Sequence, residues 1–423
     1  MKISVRFLLQ LVTAASGAIA PELARGQIVE LRATIDARQE IPATTSPATG
    51  NGLMLYNVAT NTFDLFVTLD RYSNPMTDSH VQEAGAGANG PALIHFGAEA
   101  VFTRNGSTVT AAFLNRPYPG DRLKLLQNGA YLNFHSPQFP FGEVRGQLTS
   151  MPKRLVSNFT VAQEQAAFPA NPIASNAYGA AVMVFDPGAN RISLRLSLFN
   201  YANALTNSHF HEGAPAVSGP VVVGLGAGTV GGYTNHGNGY WTGAFDIPYA
   251  GGDPIRLLTG GAYLNFHSNA FPNGETRGQV IASDEVPGTR MTNIAMRGFV
   301  GIGAQTLIAG LTINGPEPVR VLITARGPSL AAFGVTGGLS DPVLTLYDSA
   351  GRQIAANDNI GPVAAGSELS RIPGAPTNAS EAALLLVLPP GTYTALVSGA
   401  NNATGIALLE AADLRTLGVA VTN

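Results

Sequence analysis

The sequence predicts an all-β protein: two tandem antiparallel β-sandwich or barrel repeats followed by a third β-sandwich domain. Three observations carry this. A long segment recurs in tandem, stretches inside it alternate apolar and polar residues with the period of a strand, and neither repeat contains a convincing long helix. At 423 residues the chain has room for about three domains. Charged residues make up only 12%, while 49 Gly and 28 Pro supply turns, a composition suited to short strands and frequent loops.

The octapeptide GAYLNFHS occurs at 129–136 and again at 261–268. Each copy is followed by a Phe-Pro step and then by Gly142-Glu143-Val144-Arg145-Gly146-Gln147 or Gly274-Glu275-Thr276-Arg277-Gly278-Gln279, offset by 132 residues. Upstream, Asn57 and Asn61 match Asp186 and Asn190, and Ser79-His80 matches Ser208-His209, at an offset of 129. The expected division is a leader at 1–26, repeats at 27–150 and 155–283 joined through Met151-Pro152-Lys153, and a third domain at 287–423. Residues 62–69 (TFDLFVTL) and 191–198 (RISLRLSL) each predict a strand with one buried face. Asp186-Pro187-Gly188-Ala189-Asn190 is a turn signal between strands. In the third domain, 319–324 and 342–347 are strand-like, and Asp348-Ser349-Ala350-Gly351 and Pro389-Pro390-Gly391 are turns. Residues 361–380 are expected to form a mobile loop.

Lys2 and Arg6 precede an apolar stretch at 7–20, which predicts an export signal with cleavage after Ala24-Arg25-Gly26, before Gln27. The expected location is therefore secreted, cell-surface or periplasmic, with no transmembrane segment after the leader is removed. A net charge of −3 without any Lys/Arg-rich run argues against nucleic-acid binding. The absence of cysteine excludes disulfides, thiolate metal sites and cysteine nucleophiles.

Ser208-His209-Phe210-His211-Glu212-Gly213, then Gly219-Pro220-Val221-Val222, Tyr263-Leu264-Asn265-Phe266-His267 and Gly274-Glu275-Thr276-Arg277-Gly278-Gln279, resemble the CHRD (chordin-type) domain. The resemblance covers both repeats and implies a module of an extracellular or bacterial exported protein. Repeat one departs from it where Gln82 stands in place of His211. The third domain, with Asp341-Pro342-Val343-Leu344-Thr345-Leu346-Tyr347, resembles β-sandwich appendages of bacterial surface proteins. His209-Phe210-His211-Glu212-Gly213 is also similar to the copper-ligand strand of Cu/Zn superoxide dismutases. The bridging histidine, zinc ligands and disulfide of that family have no counterpart, so its activity is not carried over.

His209 and His211, two apart on a strand, share a face and can converge on one copper or zinc ion. His267 on another strand can complete a three-histidine site, with Glu212 and Glu275 as orienting or coordinating groups. The alternative is that these histidines are hydrogen-bonded structural residues. In repeat one only His80 and His135, with Gln82, are left for a metal. Glu143 with Arg145, and Glu275 with Arg277, share a strand face and could each serve as acid and base or as a salt bridge, but their recurrence predicts a fold-holding network in which a buried arginine pairs its fork with carboxylate or carbonyl groups. Trp241, Tyr233, Tyr240 and Tyr249 are either core or a binding platform. Gly226-Ala227-Gly228-Thr229-Val230-Gly231 reads as a loop, because no helix follows to bind phosphate. Ser150-Met151-Pro152-Lys153 is read as a linker rather than a Ser-Lys dyad. Asp348, Asn357, Asp358 and Asn359 either bind calcium or satisfy their own turns. No catalytic constellation emerges. Two functions stand side by side: a non-catalytic exported protein binding an extracellular protein or polysaccharide, or an exported copper- or zinc-binding protein using His209, His211 and His267.

Overall fold

The computed structural model describes residues 27–229, 231–283 and 293–415. The leader expected at 1–26 lies outside the described residues, as do parts of the third domain's expected span.

Alternation builds the first copy. In Ile28–Asp36, Val29, Leu31, Ala33 and Ile35 are buried, and in Thr62–Asp70, Phe63, Leu65, Val67 and Leu69 are buried. Every second side chain thus faces one apolar interior, and a single ten-stranded antiparallel sheet curls around it. From edge to edge its main path runs through Ala92–His95, Asp78–Gln82, Tyr131–His135, Val144–Gln147, Ile28–Asp36, Thr49–Asn57, Thr62–Asp70, Thr108–Pro117 and Thr103–Asn105.

The second copy repeats this order: Val221–Gly224, Leu205–Glu212, Ala262–Ser268, Thr276–Gln279, Lys153–Thr160, Tyr178–Asp186, Arg191–Phe199, Trp241–Pro248 and Tyr233–Asn235. Matching turns close matching hairpins. The Asn57 side chain accepts from the Ala59 and Thr60 amides, and Asp186 accepts from the Ala189 amide. Asn61 and Asn190 then take the left-handed conformation, with φ of 57° and 50°, which asparagine tolerates better than most residues. The helices in the two copies are short: Arg122–Leu126, Val161–Ala167 and Pro254–Leu258, capped by Asp121, Thr160 and Asp253.

The third region is a sandwich of two four-stranded sheets. Val321, Ile323, Leu384 and Leu409 from one sheet share a core with Leu344, Leu346, Tyr393 and Val397 from the other. This sandwich packs on the outside of the second copy, where Val387 meets Val156, Ala180 and Val182. The Val387 amide donates to Ser197 Oγ at 2.9 Å, and Glu368 accepts from both Arg195 and Arg320.

That docking changes two expectations. Residues 191–198 alternate as a half-exposed strand should, yet Ile192 through Phe199 are all buried, because the polar face lies under the sandwich. Residues 361–380 were expected to form a mobile loop, but they are anchored: Glu368 joins the two arginines, and Ile372 is buried beside Leu322 and Leu414. Trp241, Tyr240 and Tyr249 are 7%, 3% and 0% exposed, so they serve as core and not as an exposed platform. Among the described residues no helix is long and apolar enough to cross a membrane.

Candidate metal centre

In the second copy the strand Leu205–Glu212 lies between Val221–Gly224 and Ala262–Ser268. His209 pairs with Asn265 and with Gly224, and His267 pairs with Asn207. His267 is therefore the diagonal neighbour of His209 on the same face. The register against Val221–Gly224 shifts between Phe210 and His211, a bulge of the kind that re-aims a side chain. One nitrogen from each of His209, His211 and His267 lies within 4.8 Å of the others. Ring centres are 5.5 Å apart for His209 and His211 and 5.1 Å apart for His209 and His267.

Two of the rings have their tautomer fixed by the backbone. His211 Nδ1 is 2.9 Å from the Gly219 carbonyl and His267 Nδ1 is 3.0 Å from the Pro272 carbonyl. A carbonyl only accepts, so each Nδ1 carries the proton and each Nε2 is left with a lone pair. Both Nε2 atoms, and His209 Nδ1, are buried without a hydrogen-bond partner among the described residues. Desolvation, reinforced by His267 and His211, pushes His209 down to about 4. Burial also lowers His211 and His267. Near neutral pH the cluster therefore consists of three uncharged imidazoles, the form that ligates metal. Tetrahedral zinc with nitrogen ligands wants donor spacings of about 3.4 Å, so the rings have to close inward by about 1 Å.

The surroundings hold this arrangement. The His211 ring stacks on Tyr263, with centres 4.8 Å apart and planes 6° apart, and the Arg277 guanidinium lies 3.3 Å from the Tyr263 ring centre. Arg277 also donates to the Ala214 and Val217 carbonyls, fastening the loop that carries Gly219. A Cβ at Gly219 would lie 1.6 Å from the Glu212 carbonyl oxygen, so only glycine lets the loop come close enough to orient His211. The expected orienting carboxylates are elsewhere. Glu212 accepts from the Asp253 amide at the start of a helix, and Glu275 accepts from Ser175 at 2.6 Å. Backbone carbonyls do the orienting instead.

The Glu/Arg pairs do not form salt bridges with each other. Arg277 and its counterpart Arg145 make no ion pair with Glu275 or Glu143. Arg145 stacks 3.3 Å from the Tyr131 ring centre and donates to the Gly85 and Ala88 carbonyls. Glu143 accepts from Ser46 and Asn74. Of the carboxylates and carbonyls expected as partners, the arginine forks take the carbonyls, and each guanidinium adds an aromatic face. Elsewhere, Ser150 Oγ donates to the Leu126 carbonyl, and Asp348 accepts from the Ala350 and Arg352 amides and pairs with Arg352. Those residues are occupied with local structure.

In the first copy, His80 and His135 are brought together, with His80 Nδ1 3.0 Å from His135 Nε2. Gln82 occupies the place of His211 and contacts Asn133. Sequence reading missed two neighbours, Asp78 and His95, which cluster with His80. The signal was present in the chain, since Asp78 stands two residues from His80, but His95 reaches the site only through strand pairing.

The CHRD domain model matches residues 31–148 and 158–280. The chain belongs to the CHRD family. The two CHRD copies coincide with the two curled sheets. None of the curated proteins matches. Two solved structures overlap the chain loosely. One is of infectious bursal disease virus Gt strain, with 10% identity, coverage of 95% of this chain and 77% of that one, and a TM-score of 0.14. The other is an exo-β-1,3-galactanase from Phanerochaete chrysosporium with galactose, with 9% identity, coverage of 87% and 83%, and a TM-score of 0.15. At such scores neither informs fold or function.

Proposed function

We propose that this tandem CHRD protein is an exported, non-catalytic binding protein whose second CHRD copy takes up a copper or zinc ion through His209, His211 and His267. The observation that carries the reading is the convergence of three imidazoles, each with a buried, unpartnered nitrogen, two of them rings whose other nitrogen is pinned by a carbonyl. A purely structural histidine would be expected to spend both nitrogens on hydrogen bonds. Export is supported by the charged and apolar start of the chain and by the typically extracellular setting of CHRD domains. CHRD domains are not known as catalytic domains. The proposed division into a leader, two CHRD copies and a sandwich follows the sequence boundaries.

The test is to purify the mature chain, strip it, reload it with zinc or copper and measure metal content. His211→Gln copies the residue the first copy already has. Loss of one bound ion from this variant is expected. A wild-type chain that takes up no stoichiometric metal would sink the reading and leave protein or polysaccharide binding as the function.

A further inference from the structure

The first CHRD copy has its donors in different places. His80 pairs with His95 as His209 pairs with Gly224, and Asp78 pairs with His135 as Asn207 pairs with His267. An imidazole and a carboxylate thus stand where the second copy has a glycine and an amide. Asp78 Oδ2 lies 2.9 Å from His80 Nε2 and 3.5 Å from His95 Nδ1.

The protons can be followed from one end. His135 Nδ1 is 3.1 Å from the Pro140 carbonyl, so it bears hydrogen. With hydrogen on Nδ1, a neutral His135 leaves its Nε2 bare to accept from His80 Nδ1 at 3.0 Å. With Nδ1 donating, a neutral His80 turns the Nε2 lone pair toward a carboxylate oxygen. Two acceptors at 2.9 Å require positive charge between them, a proton or a cation. His95 brings a third donor atom to the same oxygen, and its side chain is 64% exposed, so solvent has a route in.

We propose that Asp78, His80 and His95 form a second and chemically different metal site, one that takes a divalent first-row cation of the zinc type. Its carboxylate partly neutralises a divalent ion and makes the donor set harder than three neutral imidazoles, which disfavours copper(I). The site stands on its own geometry and not on the three-histidine reading.

Zinc titration of the stripped mature chain by calorimetry is the direct test. Two equivalents are expected. Asp78→Asn and His95→Gly each install the residue of the sister copy, and each should remove one equivalent while leaving the one lost in His211→Gln. The two sites therefore fail separately. Zinc stoichiometry unchanged by both substitutions overturns the proposal, and the proton alone then explains the contact. Should either variant fail to fold, histidine side-chain NMR of the wild type decides the matter. Zinc-induced shifts at His80 Nε2 and His95 Nδ1 are expected, and unmoved resonances overturn it.

Discussion

The two CHRD copies share the frame of their scaffold but not their chemistry. Arg145 on Tyr131 and Arg277 on Tyr263 sit at the same 3.3 Å, Gln147 reaches the Ala84 and Asn128 carbonyls as Gln279 reaches the equivalent Gly213 and Gly260 carbonyls, and Ser46 and Ser175 donate to Glu143 and Glu275. Around that common frame, His211 faces Gln82, His95 faces Gly224, and Asp78 faces Asn207. The difference teaches that ligand-bearing positions can change while the fold-holding polar groups packed beside them stay the same. The strand between two neighbours can change its donors while the buried arginine stack stays fixed.

The largest expected effect comes from the shared frame. Arg277→Ala should cost about 3 kcal/mol, through lost packing and orphaned carbonyls, and should also weaken metal uptake by releasing the Gly219 loop. Arg145→Ala should cost as much stability without touching the second copy's metal. Urea unfolding and metal titration of both variants check this. Equal losses of metal in the two would break the comparison.

Next is pH. Burial, opposed by Arg145, pushes Glu40 up to about 7 from 4.5, so the folded state keeps a proton that the unfolded chain has released. The contribution from Glu40 is full below about 4.5 and declines as pH rises toward 7. Glu40→Gln should therefore gain about 2 kcal/mol on wild type between pH 5 and pH 8. His209 runs the other way: with a folded value of about 4 against 6.5, its contribution is full above 6.5 and is lost as pH falls toward 4. Unfolding midpoints measured across pH for Glu40→Gln and His209→Asn should flatten opposite limbs of the profile.

A smaller effect separates the copies by their surroundings. Glu368→Ala removes the carboxylate that Arg195 and Arg320 share, and should cost about 1.5 kcal/mol given the partial exposure of Glu368. Chemical denaturation would show it. Least of all should be the stability change in metal-free His211→Gln, about 1 kcal/mol or less. The reverse change, Gln82→His, should raise zinc affinity in the first copy, and isothermal titration would detect the gain.

Much of this was legible in the chain. The repeat placed Arg145 against Arg277 and His80 against His209, and the alternation in 62–69 gave a strand with one buried face. The same alternation in 191–198 misled, because period alone reports which residues share a face and not whether a later domain covers the other one. The three histidines could be grouped by strand spacing. His95 could not, since its nearness to His80 is a matter of register across a loop that has no signature. The i, i+2 spacing of Glu275 and Arg277 suggested a pair. Glu275 in fact precedes the strand Thr276–Gln279 and turns to Ser175.

The covered outer face of the second copy has a practical meaning for dissecting the molecule. Cutting the chain after Ser283 would strand Val156, Ala180 and Val182 in water together with the polar row of Ser193, Arg195 and Ser197. Such a fragment is expected to self-associate, whereas among the described residues the sandwich's core clusters include no side chain of 27–150, so removing the sandwich uncovers nothing there. Shortened versions made to isolate one ion-binding module should therefore start from the N-terminal unit.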